Sequence, residues 1–115
     1  IATTSSTGGV YLSTVLIQKL GIADQVKGKI SFAAAASVAK GENEIGIQQV
    51  SELLPVSGVD FVGLLPEGVQ LVTTYSAAIV EGSKEIEKAK KLIAFLTSDA
   101  AAPAIKKSGM EPARR

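Results

Sequence analysis

The run Thr3-Thr4-Ser5-Ser6-Thr7-Gly8-Gly9-Val10-Tyr11 constrains the fold most, because hydroxyl side chains and two glycines lead directly into a leucine stripe. Leu12, Leu16 and Leu20 recur every four residues with Tyr11 and Val15 beside them, which predicts a helix over 9–20, closed by Gly21 as a C-terminal cap. Ile1 to Thr3 reads as the end of a short strand, so the chain opens with a strand, a tight turn and a helix. The first N–H groups of a helix have no partner inside it, and the macrodipole adds partial positive charge there. Such a turn can cradle a small oxyanion without lysine or arginine. The same serines and threonines suit an ordinary capped helix start, and since caps far outnumber anion sites the segment alone favours the cap.

Downstream, strands alternate with helices. Residues 29–32 and 44–50 read as strands, 33–40 as an alanine-rich helix closed by Gly41, and 51–54 as a short helical turn. Residues 59–65 form an apolar strand stopped by Pro66, and 69–80 a long β-branched run holding Tyr75. From Ser83 the period becomes helical, with Ile86, Ala89, Ile93 and Leu96 on one face. A shorter helix follows from Ser98 or Asp99, with Pro103 near its start and Gly109 at its end. The expected class is α/β, a mixed and mostly parallel sheet flanked by helices with a C-terminal helical segment.

Composition narrows the chemistry. With 115 residues and 46% hydrophobic content, the chain can bury one modest core. Lys plus Arg number 12 against 11 for Asp plus Glu, and the only basic cluster is Lys106, Lys107, Arg114 and Arg115, so no stripe suggests a nucleic-acid partner. No apolar run approaches the roughly 20 residues of a membrane span. Histidine and cysteine are absent, which removes the usual general base, the thiol nucleophile and the commonest zinc ligands. Serine hydrolysis lacks both a Gly-x-Ser-x-Gly elbow and a histidine partner. Gly41 and Gly46 imitate a phosphate loop, but Ile47 stands where its lysine belongs. Glu42 and Glu44 fit a solvated turn better than a metal site.

The segment 41–55, the strand 59–65 with Pro66, Thr74-Tyr75-Ser76-Ala77-Ala78, Phe95-Leu96-Thr97-Ser98 and Gly109-Met110-Glu111-Pro112 keep an order and spacing that matter together. With the opening turn and Lys19-Leu20-Gly21-Ile22-Ala23, they resemble the molybdate-binding branch of the periplasmic solute-binding proteins, from end to end of the chain. That resemblance implies one lobe of a type II periplasmic-binding-protein fold, a receptor that closes on a tetrahedral oxyanion and feeds an ABC importer without making or breaking a bond. It implies residues 1–72 as the second, ligand-binding lobe, and 73–115 as a returning strand and helices that belong with a first lobe. It also implies a family member about twice this length, with the first lobe's N-terminal half absent from the sequence.

The ligand-binding residues that carry over are Ser6 by its hydroxyl, Thr7, Gly8 and Gly9 by backbone N–H, Gln48, and Tyr75 by its hydroxyl. No cofactor or metal is implied. Gln48 and Gln49 depart from the less polar side chains of established molybdate binders, which extends the expected ligands to other oxyanions and small polycarboxylates. A lone lobe would bind weakly, and its uncovered stripe of Ile86, Ala89, Ile93 and Leu96 would favour a homo-oligomer. The alternative from a different class is a structural domain that self-associates through these helices and takes no small molecule.

Overall fold

The computed structural model describes residues 1–113. Arg114 and Arg115 of the basic cluster lie outside the described residues. The chain forms two compact units, Ile1–Thr73 and Thr74–Arg115.

In the first unit, residues 1–3 run between two parallel neighbours, with Ala2 bridged to Ser31 on one side and to Gly46 on the other. The amide of Ala2 donates to Ile45 O at 2.7 Å and that of Ile47 to Ala2 O at 2.9 Å, while Thr3 N donates to Ser31 O at 2.9 Å. Ala2 and Thr3 are fully buried. The Thr3 hydroxyl adds a bond to Ile47 O at 2.7 Å, so a polar side chain enters the core only because an acceptor awaits it.

This is the whole of the β-pairing among the described residues, and the expected mixed, mostly parallel sheet is not formed. Each parallel segment pairs through a single residue. The segments 59–65 and 70–80 take no regular secondary structure and join no ladder, Val69 closes a 3-10 turn Glu67–Val69, and Val62, Val72 and Val80 are 96%, 81% and 77% exposed. β-branched composition reports a fit to a half-buried pleated surface rather than a backbone preference. With no neighbouring strand to supply that surface, the composition alone builds no sheet.

Helix α1 spans residues 7–19: α-helical Thr7–Tyr11, a wide π turn Leu12–Leu16, and α-helical Ile17–Lys19. The Ile17 amide reaches back five residues to Leu12 O. Ser13 Oγ bonds Gly9 O at 2.9 Å and Thr14 Oγ1 bonds Val10 O at 2.7 Å, so two hydroxyls compete with the main chain just where the coil widens. The extra residue in the turn moves the buried stripe. Leu12, Leu16 and Ile17 form the core cluster, whereas Leu20 and Val15, expected inside, are exposed. Ile1, Tyr11, Ile22, Val26, Ile30, Ile47, Leu65 and Val69 pack around it.

Short helices follow: α2 Ala23–Val26, α3 Ala36–Ala39 and α4 Val50–Leu53. The helix expected over 33–40 starts late because Ala34 is held at φ 56°, left-handed backbone that an alanine adopts only at a cost. Its amide donates to Thr3 O at 3.0 Å, and its carbonyl accepts from Ser37 Oγ at 2.7 Å.

The second unit holds α5 Ile86–Leu96 and α6 Ala102–Lys107, the latter with Pro103 in its first turn and Gly109 at φ 82° just after its end. Ala101 is buried. On α5 none of the predicted stripe is buried: Ala89 and Ile93 are half-buried, and Ile86 and Leu96 are exposed together with Leu92 and Phe95. Lys88–Glu85 and Lys90–Glu87 at 2.8 Å are exposed pairs of adjacent turns, worth a few tenths of a kcal/mol each.

Candidate functional site

The three parallel segments of the first unit all point their carboxyl ends the same way, and each feeds a helix. Residues 4–6 lead from Thr3 into α1, 32–35 lead from Ser31 into α3, and 47–49 lead from Gly46 into α4. In open α/β arrangements the ligand crevice lies beyond the carboxyl ends of parallel strands. Here no sheet is formed among the described residues, and two isolated parallel bridges at Ala2 alone set the three ends side by side.

At the start of α1, Ser6 occupies the cap position with extended backbone, φ −71° and ψ 178°, yet its side chain caps no helix amide. Its Oγ instead shares a 2.6 Å hydrogen bond with Thr4 Oγ1. The ordinary capped start is therefore not built. The main-chain bond from Val10 N to Ser6 O, 3.0 Å, opens the helix, so the amides of Thr7, Gly8 and Gly9 lie ahead of it without an acceptor inside the helix.

Two glycines serve close approach. A Cβ on Gly9 would overlap the Thr4 carbonyl oxygen and lie 2.7 Å from its carbon, so only glycine lets α1 lie this tightly on the segment that feeds it. A Cβ on Gly8 would lie 3.6 Å from Gln49 Cγ and 3.9 Å from the Gln48 carbonyl carbon. The opening of α1 and the Gln48-Gln49 segment are thus neighbours, held in register by the Thr3 to Ile47 bond. A Cβ on Gly46 would lie 3.4 Å from Val38 Cγ2 on α3 and 3.5 Å from Ala35 Cβ just ahead of it.

Gln48 is oriented by Glu52: its Nε2 donates to Glu52 Oε2 at 3.1 Å, and its buried Oε1 makes no hydrogen bond. Tyr11, at the far end of the first turn of α1, donates its hydroxyl to Val69 O at 2.7 Å.

Of the residues predicted from sequence, Ser6, Thr7, Gly8, Gly9 and Gln48 come together in the first unit. Gly9 is buried, and its missing side chain is what lets α1 approach Thr4. Tyr75 belongs to the second unit, where its side chain is 62% exposed. Two features of this face had escaped the sequence. Residues 33–35 read as the start of an alanine-rich helix, with no Gly or Asn to announce the left-handed turn at Ala34. Glu52, on the first turn of α4, lacks any motif and shows itself only through its bond to Gln48.

The chain matches the model of a family described as bacterial extracellular solute-binding proteins over residues 1–111. It is 40% identical over 116 residues to a Pseudomonas sp protein named aconitate isomerase, a match covering 97% of this chain and 44% of that protein. The chain thus spans less than half the length of that relative. No solved structure matches it. The expectation that no bond is made or broken does not stand, because a relative this similar is named for a reaction.

Proposed function

We propose, from the premise that this chain belongs to the bacterial extracellular solute-binding protein family, that its first unit binds a small anion bearing several carboxylates, aconitate or a close analogue, and that its activity is the isomerisation of that anion. One observation carries this reading: the uncapped opening of α1 lies against Gln48-Gln49 at the carboxyl ends of three parallel segments. The 40% identity to a protein named aconitate isomerase supports the choice of ligand. Neutral N–H donors suit such a ligand because they meet its oxygens without needing a counter-charge.

A polycarboxylate has reach that a compact tetrahedral oxyanion lacks. One carboxylate at the amides of Thr7 and Gly8 leaves another to accept from loop 32–35 or 47–49. A single added hydrogen bond to a charged group is worth about 1.5 kcal/mol, roughly a factor of ten in affinity. Titration calorimetry is therefore expected to give aconitate a Kd in the millimolar range or below, about tenfold tighter than molybdate or sulfate. Equal affinities, or heat with molybdate alone, would contradict the polycarboxylate reading.

The family's solute-binding description favours a second reading, delivery of a small oxyanion such as molybdate to an ABC importer from a periplasmic or other extracytoplasmic location. It differs in requiring the ligand to leave unchanged.

A further inference from the structure

Rearranging aconitate within itself means taking a proton from carbon, so the proposed isomerisation needs a base. The chain has neither histidine nor cysteine, which leaves carboxylates, amines and phenols. In the first unit Asp24, Glu42, Glu44, Asp60 and Glu67 are exposed, as are Lys19, Lys27, Lys29 and Lys40. The Ile1 amine donates to Lys29 O at 2.7 Å, and the Tyr11 hydroxyl is committed to Val69 O. Glu52 differs from all of these. It is half-buried, it stands on the first turn of the helix that follows Gln48-Gln49, and its Oε2 is held at 3.1 Å by Gln48 Nε2. The backbone carrying Gln48 lies against Gly8, beside the amides offered to the anion.

We propose that Glu52 is the catalytic base of this site and Gln48 the residue that positions it, an inference that rests on the polycarboxylate reading above. The Glu52 carboxylate takes a proton from the CH2 that lies between a carboxylate and the double bond. The C–H electron pair becomes the new C=C, and the former π pair moves to the far alkene carbon, delocalised into its carboxylate. Glu52 returns the proton to that carbon. One C–H bond breaks and one forms, no oxidant or co-reactant takes part, and the new double bond can adopt either geometry. The amides at the opening of α1 face the charge that gathers on a carboxylate in between.

The test pairs calorimetry with proton NMR of aconitate in D2O, using the whole chain. Wild type is expected to bind aconitate, interconvert its geometric isomers and wash deuterium into the CH2. Glu52→Gln is expected to bind at least as tightly, since it removes a negative charge near the ligand, while interconverting at least about 100-fold more slowly. Glu52→Asp, a base one methylene short, is expected to fall between the two. Interconversion at the wild-type rate in Glu52→Gln overturns the assignment, and so does a wild-type chain that binds aconitate without interconverting it. Failure of wild type to bind aconitate at all overturns the polycarboxylate reading instead.

Discussion

Gly9→Ala is expected to cost more stability than any other single-methyl addition to the first unit. The added Cβ would occupy the place of the Thr4 carbonyl oxygen, which is backbone and has no rotamer to retreat into. Alanine would gain about 1 kcal/mol of helix propensity over glycine. Against that stand overpacking, typically about 1 to 3 kcal/mol or more, and the part-buried Thr3 hydroxyl bond to Ile47 O, whose donor the new Cβ would crowd at 3.1 Å and whose loss costs about 1 kcal/mol. The net loss is about 3 kcal/mol. In a domain of this size that lowers the melting temperature by more than about 10 °C, measurable by circular dichroism. Gly28→Ala, where a Cβ meets nothing within 4 Å, serves as the control and is expected to shift it by no more than a few degrees. Similar behaviour of the two variants would mean that α1 does not depend on this close approach.

Thr7→Asp should separate stability from binding by moving them in opposite directions. Thr7 is exposed at the first position of α1, so the side chain fits without repacking. A carboxylate there complements the helix dipole and is worth about 0.3 to 1 kcal/mol to the fold. The same charge repels an anion held by the neighbouring amides. At about 4 Å the repulsion per charge pair runs from about 1 kcal/mol in bulk water to about 4 kcal/mol near a protein surface. The expected result is a melting temperature equal to or slightly above wild type with aconitate affinity reduced at least tenfold. The deficit shrinks as salt screens it. Thr7→Asn, polar but uncharged, should retain most of the affinity. An aspartate variant that binds like wild type would place the anion elsewhere.

The helices with a sustained period were legible in the sequence, and so were their ends. Residues 86–96 form the helix their 3.6-residue repeat predicts, α1 stands where its leucines place it, and Gly21 and Gly109, with φ 68° and 82°, mark where helices stop. The π turn left no such mark. It exchanged Leu20 for Ile17 in the core because the competing hydroxyls of Ser13 and Thr14 act on geometry, not on periodicity.

The long β-branched run at 69–80 misled in a different way, since strand composition needs a neighbour before it becomes a strand. In the candidate site, the turn from Ser6 to Gly9 could be read locally, whereas Gln48 came only through the family resemblance. Their adjacency could not be read locally, because it depends on a hydrogen bond between residues 44 positions apart. Ala34 and Glu52 carried no local signal at all. The expectation of pure binding is overturned by the 40% identity to a protein named aconitate isomerase; absence of histidine and cysteine removes the commonest bases but leaves carboxylates, which also move protons.

A polycarboxylate held by the opening of α1 and the loops beside it must perturb those residues first. Backbone amide NMR with increasing aconitate tests that placement most directly, because the amides invoked are themselves the reporters. Saturable shifts are expected at Thr7, Gly8 and Gly9, with companions in residues 32–35 and at Gln48 and Gln49. Shifts confined to residues 74–113, or none at millimolar aconitate, would contradict that placement.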